Sequence, residues 1–338
     1  MIPLTEPPLK AAYICAYLQS PAGRQQILRL HRGSSRQIEI YPDDLLTLEI
    51  PSLDTAQERE IGARWLSAVR SVRDARSAVR DAELMIQEVL GVSEADLEGE
   101  PTVWSQGVRL VGTSNRLDPQ FTAPRTRRLR DAISTQRFWR LSDLVAKVRT
   151  GYQPPYYDEG GDVRIVKTKD VMFPRVSLAG CARTDDQGWT DALAPGDLLL
   201  NMTGEGTLGR AGVAPADVAD EATFAAIDVA AATLHPGMLP TTYVALFMNS
   251  WMGREQTLAA QTGSSGQQHI YETHFRSILV PVASTPAGSV DRDWLDAIVR
   301  LAERRASAAT TAAATFEALD QVFIQGLGVV PDLSTIPA

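Results

Sequence analysis

A chain of 338 residues, 44% hydrophobic and 22% charged, is long enough to bury real cores and to hold two domains. Its net charge of −8, from 33 basic and 41 acidic side chains, excludes a protein that clings to nucleic acid by bulk attraction. Two isolated cysteines (Cys15 and Cys181) and four scattered histidines exclude a disulfide scaffold and offer no metal-ligand spacing, so a reduced cytoplasmic protein without metal or cofactor is expected. The apolar stretch 11–18 is too short to span a bilayer, and Met1–Lys10 lacks the basic region of a signal peptide.

From the N-terminus, the first segment to be read is one that occurs twice. Tyr13–Pro51 falls on Tyr243–Pro281 at an offset of 230 without a gap, and 13 of the 39 positions are identical. Composition alone would give about two or three. The matches cluster at Ser20, Gly23, Arg24 and Gln26 over Ser250, Gly253, Arg254 and Gln256. A second cluster sets Gly33-Ser34-Ser35-x-Gln37-x-x-Ile40-Tyr41 over Gly263-Ser264-Ser265-x-Gln267-x-x-Ile270-Tyr271. A unit used twice, each time running into a long helical segment, reads as a two-armed binding scaffold rather than a single-pocket enzyme.

Asp54 before Thr55–Glu58 reads as a capped helix start. Ile61, Trp65, Ala68, Val72, Ala75, Val79, Ala82, Ile86 and Val89 then step by four and three without a break. That is a seam of roughly 43 Å at 1.5 Å per residue. Gly91 closes it. After the second copy, Asp291 or Asp293 caps a counterpart with the seam Trp294, Ile298, Leu301, Ala308, Ala312, Thr315, Leu319 and Val322, one heptad longer. These spacer helices, placed at 53–92 and 287–329, most simply pair with each other; the alternative is that each packs on its own domain.

Between them, 93–286 is expected to be a complete globular domain, with 1–52 a partial one and 330–338 a tail. Arg109–Arg140 carries eight arginines against Asp118 and Asp131, which fits either a DNA-reading patch or a solvated helix face. A short helix is predicted at Thr126–Ile133, and strands at Val163–Thr168, Val171–Phe173, Asp197–Met202 and Ala225–Leu234. A further helix at Tyr243–Trp251 and extended chain at Ile270–Val282 complete an α+β pattern.

Two stretches imitate enzyme motifs. Gly204-Glu205-Gly206-Thr207-Leu208-Gly209 fits G-x-G-x-x-G, but Gly212 and Pro215 follow where a dinucleotide site requires a helix. A glycine-rich hairpin is the expectation. Gln153-Pro154-Pro155-Tyr156 is similar to the motif of adenine-modifying methyltransferases, but has Gln where those have Asn, Asp or Ser, and no methyl-donor glycine site precedes it.

Taken in order, these segments resemble the DNA-specificity (S) subunit of type I restriction-modification systems. Trp139–Leu144 resembles the opening strand and turn of its target-recognition domain, and Gly151-Tyr152-Gln153-Pro154 its glycine–proline loop. Pro195–Leu200 with Gly204–Gly209 resembles the central block, and Gly263-Ser264-Ser265-x-Gln267 through Ile278–Pro281 the closing strand. The resemblance implies target-recognition domains joined by two long helices that pair as an antiparallel coiled coil. It also implies double-stranded DNA and a methyltransferase (M) subunit as partners, with a restriction (R) subunit in the larger complex. One departure stands out: residues 1–52 match only the closing third of a recognition domain, so a second copy or a complementing S fragment is a further partner to consider.

The resemblance implies no bond-making chemistry in this chain. Arg116, Arg125, Arg127, Arg128 and Arg130 are the candidate phosphate contacts. Tyr156, Lys167, Lys169, Asn201, Thr203, Arg210, Gln267 and His269 are the candidate base readers, since Arg and Lys suit guanine and Asn and Gln suit adenine. Two other readings stay open: a DNA methyltransferase fragment, and a scaffold or antagonist of a modification complex that never touches DNA.

Overall fold

A computed structural model of the chain describes residues 8–32, 39–99, 119–263 and 268–327. In order, the elements are α1 (Pro8–Gln19), α2 (Pro21–Arg29), the long helix α3 (Thr55–Leu90), α4 (Pro124–Ser134), β1 (Arg137–Arg140), β2 (Val145–Thr150), β3 (Val163–Val166), β4 (Ala182–Thr184), β5 (Leu198–Asn201), β6 (Ala211–Val213), β7 (Thr223–Ala225), β8 (Val229–Leu234), α5 (Thr241–Asn249), α6 (Trp251–Ala260), β9 (Leu279–Val282) and the second long helix α7 (Arg292–Leu327). The α+β reading holds. The chain divides into two units, Met1–Ser77 with Ser307–Ala338, and Ala78–Ala306.

In the first unit, Ile61 of α3 shares one apolar cluster with Leu319 and Phe323 of α7 and with Tyr13, Ala16 and Tyr17 of α1. In the second unit, Ala82, Ile86 and Leu90 of α3 share a cluster with Leu295, Ile298 and Ala302 of α7. The start of one helix thus meets the end of the other in both units, which is antiparallel pairing. Asp54 caps α3 by accepting the Ala56 and Gln57 amides at 2.9 and 3.0 Å, and Asp291 caps α7 by accepting Trp294 N–H at 3.0 Å.

The phase of the second seam differs from the heptad reading. Val322 is exposed, and Phe323 takes its place against the rings of Tyr13 and Tyr17 at 6.1 and 5.5 Å. Leu295 and Ala302 are fully buried, whereas Trp294 and Leu301 lie half-buried beside them, Trp294 edge-on to Tyr243. On α3, Ile61 and Ile86 are buried while Trp65, Val72 and Val79 are half-buried; the alanines at 68, 75 and 82 are buried as well.

The second unit holds three sheets: β1–β9, the four strands β2-β8-β5-β6, and β4-β3-β7. Leu198, Leu199 and Leu200 of β5 are all buried because apolar clusters cover both faces of the strand. The predicted strand at Val171–Phe173 is absent; these residues are irregular chain between β3 and β4. The stretch Ala225–Leu234 is broken by the turn between β7 and β8.

The repeat is real at the level of hydrogen bonds. Tyr13 Oη donates to Pro51 O, and Tyr243 Oη to Pro281 O. Ser20 Oγ and Ser250 Oγ donate to Tyr17 O and Phe247 O, each at 2.6 Å, and each accepts an amide, Gly23 or Gly253, at 3.3 Å. A Cβ on either glycine would lie 2.2 Å from that same helical carbonyl oxygen, so only glycine fits. Gln26 clasps the backbone of Glu49 with both ends of its amide, at 3.0 and 2.9 Å, and Gln256 does the same to Leu279 at 3.0 and 2.8 Å. Burial, with Glu58 nearby, pushes the Tyr13 phenol up to about 12. Its contribution is therefore intact below its ordinary value of 10 and lost as the pH rises through about 12.

The two clasps differ in surroundings: the Gln256 pair is buried and the Gln26 pair is exposed. Gln256→Leu strands two buried backbone groups and is expected to cost about 2–4 kcal/mol, whereas Gln26→Leu, where water replaces the amide, costs under about 1 kcal/mol. Native-state hydrogen exchange, read separately for each unit, measures both.

Candidate nucleic-acid interface

Pro124 at the first position of α4 presets its backbone, and Thr126, Leu129 and Ile133 face inward at helical spacing. The opposite face carries Arg127, Arg128 and Asp131, all exposed. Two other arginines of this helix make contacts within the chain. Arg125 pairs with Glu255 at 3.0 Å and with Glu94 at 3.2 Å, and lies over the Trp251 ring. Arg130 donates to Ser277 O and covers Phe121; burial, reinforced by Arg140, lowers its pKa. Arg125 and Arg130 are thus half-buried and engaged by partners within the chain. Arg116 lies outside the described residues.

Several candidate base readers gather at the C-terminal end of β5. Asn201 itself is fully buried: its amide donates to Thr168 O at 2.9 Å, so it holds the Lys167–Asp170 turn rather than offering a base contact. Two residues on, Thr203 bridges to His269, and His269 pairs with Thr262 through backbone bonds of 2.8 and 2.9 Å. His269 is thereby held both to the strand end and to Thr262, with its ring stacked on Tyr271 at 6.0 Å. Gln267 lies outside the described residues. In the turn, Lys167 sets its ammonium 3.4 Å above the Tyr157 ring, and Lys169 is exposed, donating to Gly180 O at 3.3 Å. Tyr156 is exposed and its hydroxyl donates to Asp185. Arg210 does not join this group. It lines a cavity of about 330 Å³ with Glu83, Met172, Phe173, Asn249 and Arg305.

Gly204–Gly209 is the loop of the β5–β6 hairpin, with Gly204, Gly206 and Gly209 all at positive φ. Helix-terminal phosphate binding has no basis there, because β6 follows the last glycine. Gly209 packs against Thr257, where a Cβ would lie 2.5 Å from the threonine methyl. Gln153 turns its amide onto the adjoining Pro154 carbonyl.

A buried ion pair that sequence reasoning missed stands behind the four-stranded sheet. Asp197 accepts from Arg149, from the Thr233 hydroxyl at 2.7 Å and from the Ala194 amide at 2.7 Å. Arg149 reaches the Ala192 carbonyl at 2.8 Å as well. The Gly196-Asp197 pair in the sequence was the available signal; its partner lies 48 residues away.

Among the described residues there is no group of three or more His, Cys, Asp or Glu suited to a metal ion, and no helix long and apolar enough to cross a membrane. No family model matches the chain, and no curated protein matches it. Three solved structures are similar to the chain at low TM-scores. The HsdS subunit from Thermoanaerobacter tengcongensis is 16% identical, with a TM-score of 0.38 over 96% of this chain and 69% of that one. A structure reported for complex assembly and conformational transition of the type I R-M system is 14% identical, at 0.38 over 92% and 68%. The type I restriction-modification S subunit from M. genitalium is 11% identical, at 0.36 over 94% and 72%.

The two classes of arginine on α4 separate experimentally. Arg125→Ala leaves Glu255 half-desolvated and removes two ion pairs, which is expected to cost about 1–3 kcal/mol. Arg127→Ala, on the exposed face, should change stability by less than about 0.5 kcal/mol. Urea unfolding of the two variants tests the difference.

Proposed function

We propose that this chain is a non-catalytic DNA-specificity subunit of a type I restriction-modification complex, one that reads one half of a target site and docks a methyltransferase subunit through its long helices. The observation that carries the reading is the doubled module, in which the serine–glycine corner, the glutamine clasp and the tyrosine–proline bond recur, joined each time to a long helix. One polypeptide thus owns two equivalent seats, an arrangement suited to a split recognition site and unnecessary for a single active-site pocket. In this reading Arg127 and Arg128 contact phosphates. Lys167, Lys169, Thr203, His269 and Gln267 read base edges, and Tyr156 belongs to the same set. Asn201 acts as a positioning residue, and the outer faces of the long helices receive the methyltransferase, which supplies the chemistry and extrudes the adenine.

The test is a salt-dependent DNA-binding assay on the full chain, with and without a co-expressed type I methyltransferase subunit. Binding should tighten with the partner and fall steeply with salt; no salt-dependent binding in either arm would overturn the reading. Arg127→Ala combined with Arg128→Ala should lower the magnitude of the log–log salt slope by about 1.8 while leaving sequence preference unchanged.

A further inference from the structure

The two copies of the module differ in what covers them. In the second unit, Leu279–Val282 pairs antiparallel with β1, in the register Arg140↔Leu279, Trp139↔Val280, Phe138↔Pro281 and Arg137↔Val282. Phe275, Ile278 and Val280 are consequently buried. The equivalent segment of the first unit is Glu49–Ser52, and no strand among the described residues pairs with it. Leu45, the counterpart of Phe275, is 49% exposed against 2%, and its neighbour Leu46 is 84% exposed. Leu48 and Ile50, counterparts of the fully buried Ile278 and Val280, are only half-buried. Ile50 packs against the Tyr13 cluster, but a surface built for permanent contact with water has no use for exposed Leu45 and Leu46, with Leu48 half-buried beside them, next to a backbone edge unpaired among the described residues.

The charges around this edge say what fits it. Residues 39–58 contain Glu39, Asp43, Asp44, Glu49, Asp54 and Glu58 and no lysine or arginine. The element that covers the second copy, Pro124–Arg140, carries six arginines and the single acid Asp131. Glu49 stands where Leu279 faces Arg140, so an arginine at that point of a visiting strand meets a carboxylate across the ladder. A second copy of this chain offers the same segment only by giving up its own β1–β9 ladder.

We infer that Leu45–Ser52 is the docking edge for a basic helix–strand segment of a second, different polypeptide, chemically similar to Pro124–Leu144 and added antiparallel along Glu49–Ser52. Strand addition supplies the missing backbone hydrogen bonds, and the helix covers the exposed leucines. The inference does not rest on DNA binding.

A fluorescent peptide with the sequence of Pro124–Leu144, titrated into the full chain, tests it. Saturable one-to-one binding with slowed amide exchange at 48–53 is expected. Glu49→Lys should weaken binding about tenfold, equal to 1.4 kcal/mol, and a peptide carrying Arg140→Glu should restore it. Should the peptide bind weakly, oxidative trapping of the Ser52→Cys chain by an Arg137→Cys peptide, above the background from Cys15 and Cys181, reports the register directly. Absence of both exchange protection and register-specific trapping would overturn the inference. Slow exchange at 48–53 in the peptide-free chain would overturn it too, whether in a monomer, where the chain covers itself, or in a dimer, where a second copy does.

Discussion

A glutamine amide has one donating end and one accepting end, and at Gln26 and Gln256 both ends engage a single backbone residue 23 positions further along the chain. This clasp, with the tyrosine hydroxyl bound to the proline two residues later, fixes where the chain leaves the helix pair and enters the long helix. The serine–glycine corner between the two short helices sets their angle, since the glycine has a carbonyl where a side chain would be. Four side-chain types at fixed spacing thus define a joint, and the joint determines where each spacer helix begins. Strands β1–β8, their loops and the arginine-bearing helix of the second unit are additions to that joint, whereas β9 carries two of its partners, Leu279 and Pro281.

Burial changes the energetic weight of identical bonds. The clasp on Leu279 sits beneath β1 and away from water, so each of its hydrogen bonds protects a backbone group that would otherwise be stranded. The same clasp on Glu49 lies in water and gains only the small difference between a protein partner and a solvent partner. The first unit is held mainly by its aromatic cluster, where Tyr13 and Tyr17 close on Phe323 across the end of the second long helix. The bonds recur in both copies; their burial does not.

Features set by local chemistry were legible in the sequence. The repeat, the caps at Asp54 and Asp291 and the hairpin nature of the glycine loop all depend on residues close to one another. The seam of the second helix was legible to within one position. Alanine and threonine at 308, 312 and 315 mark no sharp phase, and an α-helix drifts by about 20° per heptad against a strict 3.5-residue repeat, so Phe323 rather than Val322 reaches the core. Helical spacing of Thr126, Leu129 and Ile133 already separates Arg127 and Arg128 from the buried side. It says nothing of Arg125, whose carboxylate partner Glu255 is 130 residues distant. Asn201 misled for a related reason. At the end of an all-leucine strand buried on both faces, no alternation reveals which way its amide points.

Net charge and local charge answer different questions about nucleic acid. At physiological salt the Debye length is about 8 Å, so phosphates near Arg127 and Arg128 respond to those guanidinium groups and little to distant acids. At low ionic strength, where screening reaches much further, the net charge of −8 repels a polyanion and slows encounter. On the proposed reading, such a chain would hold DNA best once a partner has brought the duplex close. A basic partner that neutralises the acidic regions, or contributes phosphate contacts of its own, removes that barrier. The electrostatics therefore favour a protein that reads DNA as one member of an assembly over one that searches for its site alone.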